Sequence, residues 1–180
     1  MQRIISKYCK EDLTFMQMIQ IDRKLNSTKS FLVLLIYRIY HYLYVHNFRF
    51  AKMLWGGVKS VVYFLLRIDA QISYKSEIGH SIRLPHSAMG VVISSKAIVG
   101  NNVTIYHHVT IGVNENKSDE KKLVIIKDNC YLSTGCKVIS CVLNENCKIA
   151  PNAVVYKDLP ANTMCYPLNE VKLLSNSVSD

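Results

Sequence analysis

Apolar residues recur at every sixth position through Ile93, Val99, Ile105 and Ile111, and again through Ile126, Leu132 and Val138, then Leu143, Ile149 and Val155. Upstream, Ile72, Ile78 and Leu84 keep the same beat. Four residues after most of these stand smaller ones: Ala97, Val103, Val109, Cys130, Cys136, Cys147 and Ala153. A helix repeats near 3.6 residues and a flat strand near 2. A beat of six describes a short strand plus a corner, three times per turn of a triangular coil, so the fold class expected is a parallel β-helix of hexapeptide units. The residue before the small inward position is Asn102, Asn129, Asn146 or Asn152, and once Gly135. Asn and Gly enter the left-handed backbone region at least cost, as a tight corner requires.

Two breaks in the beat stand out. Residues 113–125 form a polar excursion, long enough to expect a functional or irregular loop. Between Leu84 and Ile93, nine residues occupy the place of six. An extra insertion in a regular coil re-aims side chains, often at a functional site. His86 is third in its unit, as His107 is in its own, and the two are 21 residues apart, one eighteen-residue turn plus the extra three. Both imidazoles are therefore expected on one corner, one above the other. His80 is also third, but one face earlier. His108 falls at the turn phase that Asn holds elsewhere and reads as structural.

Before the coil lie two apolar stretches, residues 31–50 and 53–68. Arg38, His41 and His46 interrupt the first, and Gly56, Gly57 and Lys59 the second, so neither reads as the unbroken run of about 20 apolar residues that a spanning helix needs. They read as packed amphipathic helices. The organisation expected is a helical region over 1–68, a coil over 69–165 and a tail over 166–180.

Charge sharpens this picture. The 180-residue chain carries +9, and residues 1–68 hold eleven Lys and Arg against three carboxylates, a surplus of eight. A basic face among apolar helices suits an anionic membrane surface, so peripheral contact with the inner membrane surface is an open expectation. Nucleic acid is not expected, because the charge does not line a groove of stacking aromatics. The first fifteen residues lack the apolar core and cleavage site of a secretory signal, and a cytoplasmic chain with reduced thiols is expected. Three of the six cysteines occupy small inward positions, where the residue acts as a compact apolar group, and Cys130 and Cys147 should stack in consecutive turns. No metal is expected, since zinc needs three or four convergent ligands. The γ-class carbonic anhydrases, which share such a coil, use two histidines five residues apart, a spacing absent among His80, His86, His107 and His108.

The run "IGHSIRLPHSAMGVVISSKAIVGNNVTIYHHVTIG" and the later "CKIAPNAVVYKDLPANT" resemble the serine acetyltransferase family, especially its branch of colanic-acid and capsule acetyltransferases. The resemblance implies a left-handed coil after a helical region, and a homotrimer or dimer of trimers. It implies acetyl-CoA as co-substrate between neighbouring coils, with Gly112, Ser133, Thr134 and Ala150 as candidate contacts. His86 matches the family's catalytic base, with His107 beside it as a second catalytic candidate. Members acting on serine carry an aspartate where this chain has Gln71, with Asp69 two residues away, and Arg-His where it has Lys122 and Leu123. Gln71, Asp69 and Lys122 are thus the candidate acceptor-binding residues. Their types favour a sugar of a capsule polysaccharide or lipid-linked precursor as acceptor, with free serine as the alternative small molecule. A non-catalytic trimeric scaffold is the reading from another class.

Overall fold

The computed structural model describes residues 13–116, 118 and 122–167. Helix α1 spans Phe15–Leu25 and opens on a reciprocal cap: the Gln17 N–H donates to Thr14 Oγ1 (3.3 Å) and the Thr14 N–H to Gln17 Oε1 (2.8 Å). Helix α2 spans Thr28–Val45, capped by Ser27, and α3 spans Arg49–Leu66. The two apolar stretches fall on α2 and α3, with shifted ends. Ser27 starts α2 three residues before the apolar run, and a left-handed turn at Asn47 (φ 58°) hands Arg49 and Phe50 to α3.

The coil follows. Strands β1 (Gln71–Ile72), β3 (Val92–Ile93), β6 (Thr110–Gly112), β9 (Lys137–Ile139) and β12 (Val154–Val155) stack as a first parallel sheet. Strands β2 (Glu77–Ile78), β4 (Ala97–Val99), β7 (Val124–Ile126) and β10 (Val142–Leu143) form the second. Strands β5 (Thr104–Ile105), β8 (Tyr131–Leu132), β11 (Lys148–Ile149) and β13 (Met164–Cys165) form the third, entered by a bridge from Arg83 to Thr104. The three sheets are the walls of a left-handed parallel β-helix, against the usual right-handed crossover preference. Strand β7 begins at Val124, inside the range assigned from sequence to the excursion, because Val124 and Ile125 pair with Ala97 and Ile98 of the turn below.

Every residue of the six-residue beat from Ile72 to Val155 points inward and is buried, with Ile105, Ile111, Ile126, Leu132, Val138, Leu143 and Ile149 wholly so. Asn102, Asn129, Gly135, Asn146 and Asn152 all adopt positive φ, 54° to 68°. His108 does too (φ 56°), in the structural turn role expected of it. Pairing of Tyr131 with Lys148 sets Cys130 directly against Cys147 in the next turn; both are free, buried thiols.

The helices close the coil's lower end. Arg38 is buried and donates to Asp22 Oδ2 (3.0 Å) and to the carbonyls of Ile78 and Gly79 (both 2.6 Å). Burial pushes the Asp22 carboxyl pKa up, and the Arg38 guanidinium opposes that. Asn26, the residue ending α1, donates from Nδ2 to the Ile82 carbonyl (2.8 Å) and accepts at Oδ1 from the Leu84 N–H (2.7 Å). Ser30 Oγ donates to the Leu84 carbonyl (2.6 Å). These side chains supply the bonds that a further strand would have given the open edge of the third sheet. They hold the segment immediately before His86.

Candidate active site

His86 and His107 lie on the edge where the third sheet turns into the first. The inserted triplet puts His86 there. Pro85 enters extended (φ −58°, ψ 162°), and His86, Ser87 and Ala88 then form one short 3₁₀ turn with φ of 54°, 62° and 57°. Three successive non-glycine residues in the left-handed region cost roughly 1–2 kcal/mol each. Full burial of Ala88 and Val91, and the packing of α2 against the turn, offset that strain. Gly90 completes the reversal (φ 62°), and a Cβ there would collide with His108 Nδ1, so the position excludes side chains on two counts. The result is an exposed His86 ring standing edge-on to His107, centroids 4.8 Å apart and planes at 78°.

Thr134, one turn above His107, bonds that ring. Its Oγ1 is 3.3 Å from the His107 carbonyl, to which it donates, and 2.8 Å from His107 Nε2. The hydroxyl ties the ring to the backbone of its own residue and fixes its plane. Nδ1 is buried, with no hydrogen-bond partner among the described residues. Desolvation, and then the neighbouring His86 and His108 rings, pull the His107 pKa below the ordinary histidine value. His107 is thereby held neutral beside the His86 ring.

The other predicted residues divide between places. Thr134 bonds His107 directly, while Ser133 and Ala150 stack above Tyr106 on the same edge as the histidines. Gly112 and Lys122 flank the excursion on the next edge, where Lys122 pairs with Glu115 (3.8 Å). Gln71 and Asp69 line an open groove of about 700 Å³ between α3 and the first two turns of the first sheet, with Lys59, Tyr63, Tyr74 and Ser94. His86 is not among the groove's described lining residues. Within one protomer, then, the histidines and the acceptor candidates do not share a cavity. Sequence reading missed Tyr106, whose ring sits 5.8 Å from His86 and 5.3 Å from Tyr131. Its position beside His107 was the available signal. It also missed Asn26 and Ser30, which meet the coil across 54 to 58 residues of chain and carry no local pattern. Among the described residues, no three His, Cys, Asp or Glu side chains converge as metal ligands.

A left-handed β-helix with two histidines re-aimed onto one edge by an insertion defines a hexapeptide-repeat protein of acyltransferase architecture. No protein-family model matches the chain. Among curated relatives, the serine acetyltransferase of Helicobacter pylori is 32% identical over 131 residues, 72% of each chain. The chain belongs to the serine acetyltransferase family. Among solved structures, the Neisseria gonorrhoeae serine acetyltransferase in complex with serine superposes with a TM-score of 0.66 at 25% identity, over 78% of this chain and 55% of that one. The Brucella abortus serine acetyltransferase in complex with coenzyme A gives 0.64 at 27%, over 77% and 54%. Against several other curated serine acetyltransferases, the chain spans about half to three-fifths of their length. The relatives carry the serine acetyltransferase name, so the narrower expectation of a colanic-acid or capsule branch gains no support from them.

Proposed function

We propose that this chain transfers an acetyl group from acetyl-CoA to an acceptor hydroxyl, with His86 as general base. The observation carrying the reading is the pair of imidazoles on one strained edge, His86 exposed and edge-on to a His107 ring whose pKa is pulled down. A hydroxyl is a weak nucleophile until its proton is taken, and a neutral imidazole takes it near pH 7. The acceptor oxygen then bonds to the acetyl carbon, the carbon–sulfur bond breaks, and the imidazolium returns its proton to the departing thiolate. No acyl-enzyme forms, so no cysteine nucleophile is required. His107 stands edge-on to His86, with 4.8 Å between centroids, and limits where that ring can turn. Ser133 and Ala150 follow on the same edge above the histidines, and we place the co-substrate along that edge. The relatives solved with coenzyme A support that choice.

The acceptor we propose is L-serine, because the relatives are named for it and one is solved with it bound. A sugar hydroxyl is the second reading. The observation favouring it is Gln71, a neutral amide in the groove where the resemblance led us to expect a carboxylate. We also propose a trimer, in which a neighbouring coil brings its Gly112 and Lys122 edge against the histidine edge and completes the site. The test is thiol release from acetyl-CoA with L-serine against a panel of nucleotide sugars and oligosaccharides. Saturable release with serine supports the first reading and release only with sugars the second; hydrolysis alone, with no acylated acceptor, refutes both.

A further inference from the structure

Helix α3 carries a face that no described residue of the chain covers. Phe50, Met53, Leu54, Gly57, Val58, Val61, Phe64 and Leu65 follow the i, i+3, i+4, i+7 spacing of one helical stripe over the helix's full length. No α3 residue is buried, and its aromatic ends are the most open, with Phe50 71% and Phe64 82% exposed. The opposite face is in use: Trp55 donates to the Ile36 carbonyl of α2, and Lys52 lies over the Tyr44 and Tyr74 rings. The stripe continues onto exposed Val45 and Phe48 at the turn from α2. An apolar band this long exceeds what a soluble monomer's surface ordinarily leaves bare.

The charge around it selects the occupant. Over residues 13–68 the sole carboxylate is Asp22, which is buried and bonded to Arg38. Every other charge there is positive: Arg23, Lys24, Lys29, Arg49, Lys52, Lys59 and Arg67. Arg49 and Arg67 bracket the stripe at its two ends. Two copies packing stripe on stripe would set Arg49 against Arg67 if antiparallel, or each against itself if parallel, with no carboxylate on α3 itself to separate them. An anionic lipid surface supplies the missing negative charge and an apolar layer together. Among the described residues no helix is long and apolar enough to cross a membrane. Insertion of one helical face is within reach of α3.

We propose that the α3 stripe docks this protein on an anionic membrane surface, with its apolar side chains in the headgroup boundary and Arg49 and Arg67 on lipid phosphates. The proposal stands independently of the acceptor assignment. The test is co-sedimentation of the full chain with phosphatidylcholine vesicles with and without phosphatidylglycerol, beside the F64S/L65S double variant and light scattering for mass. Binding only to the anionic vesicles, weakened about tenfold or more in F64S/L65S, with unchanged helicity and oligomer mass, is the expected result. Equal binding to both vesicle types, or binding to neither, overturns it. A fall in oligomer mass in the variant also overturns it, because the stripe is then an interface between copies.

Discussion

Asn26 tests the idea that the helical region exists partly to hold the histidine turn. The residue ends α1 and acts as a substitute strand, giving one hydrogen to the Ile82 carbonyl and taking one from the Leu84 N–H, at 2.8 and 2.7 Å. Ile82 and Leu84 are each 1% exposed, so water reaches this backbone poorly. In Asn26→Ala a buried N–H and a buried C=O both lose their partner, at about 1–3 kcal/mol for each orphaned group. Asn26 itself is half-buried and some water enters, so we expect a loss of about 2–4 kcal/mol. Urea unfolding measures it, as a lower midpoint at unchanged slope. Ser60→Ala is the control: that hydroxyl is exposed and bonds only its own helix at the Gly56 carbonyl, so its effect should stay within about 0.5 kcal/mol. Because Leu84 is two residues from His86, kcat/KM under conditions where the variant remains folded should fall about tenfold or more. Asn26→Ala with stability and kcat/KM both at wild-type level would refute the buttress.

Gly90→Ala should destabilise by about 2 kcal/mol or more, from left-handed strain and collision with His108; a double-mutant cycle with His108→Ala isolates the collision as a coupling energy. His107 should titrate by NMR below the ordinary value of about 6.5. Its folded pKa lies below its unfolded one, so its stabilising contribution is complete above that unfolded value and is lost as pH falls through the folded midpoint. An upward-shifted midpoint would contradict the assignment. Burial pushes the Cys130 and Cys136 thiols up to about 12 and raises Cys147 as well. All three should resist a disulfide reagent at pH 8 until the coil unfolds, while half-buried Cys165 reacts first among the cysteines of the described residues.

The coil was legible because its rule is local: one large apolar residue every six, and one Asn or Gly at each corner. That phase alone set His107 one turn above His86, since the three inserted residues were counted and not interpreted. The conformation of the insertion was not legible. His86, Ser87 and Ala88 have no special tolerance for positive φ, and only burial of Ala88 and the docked helices impose it. The helical contacts were hidden for the same physical reason. Arg38 and Asp22 meet across 16 residues, and Arg38 meets Gly79 across 41, and no periodicity marks a bond of that kind. The acceptor candidates are spread over two places. Gln71 and Asp69 line one groove, Lys122 flanks another edge, and neither cluster reaches the histidines within a protomer.

The measurement that bears most directly on the central claim is acetyl transfer by His86→Ala, with far-UV circular dichroism and oligomer mass recorded on the same sample. His86 is exposed and outside the core, so the coil should persist unchanged. Removing the base should lower kcat by about 10²–10⁴-fold. A variant that keeps its fold and turns over at the wild-type rate would mean that the two stacked histidines are not where the chemistry happens.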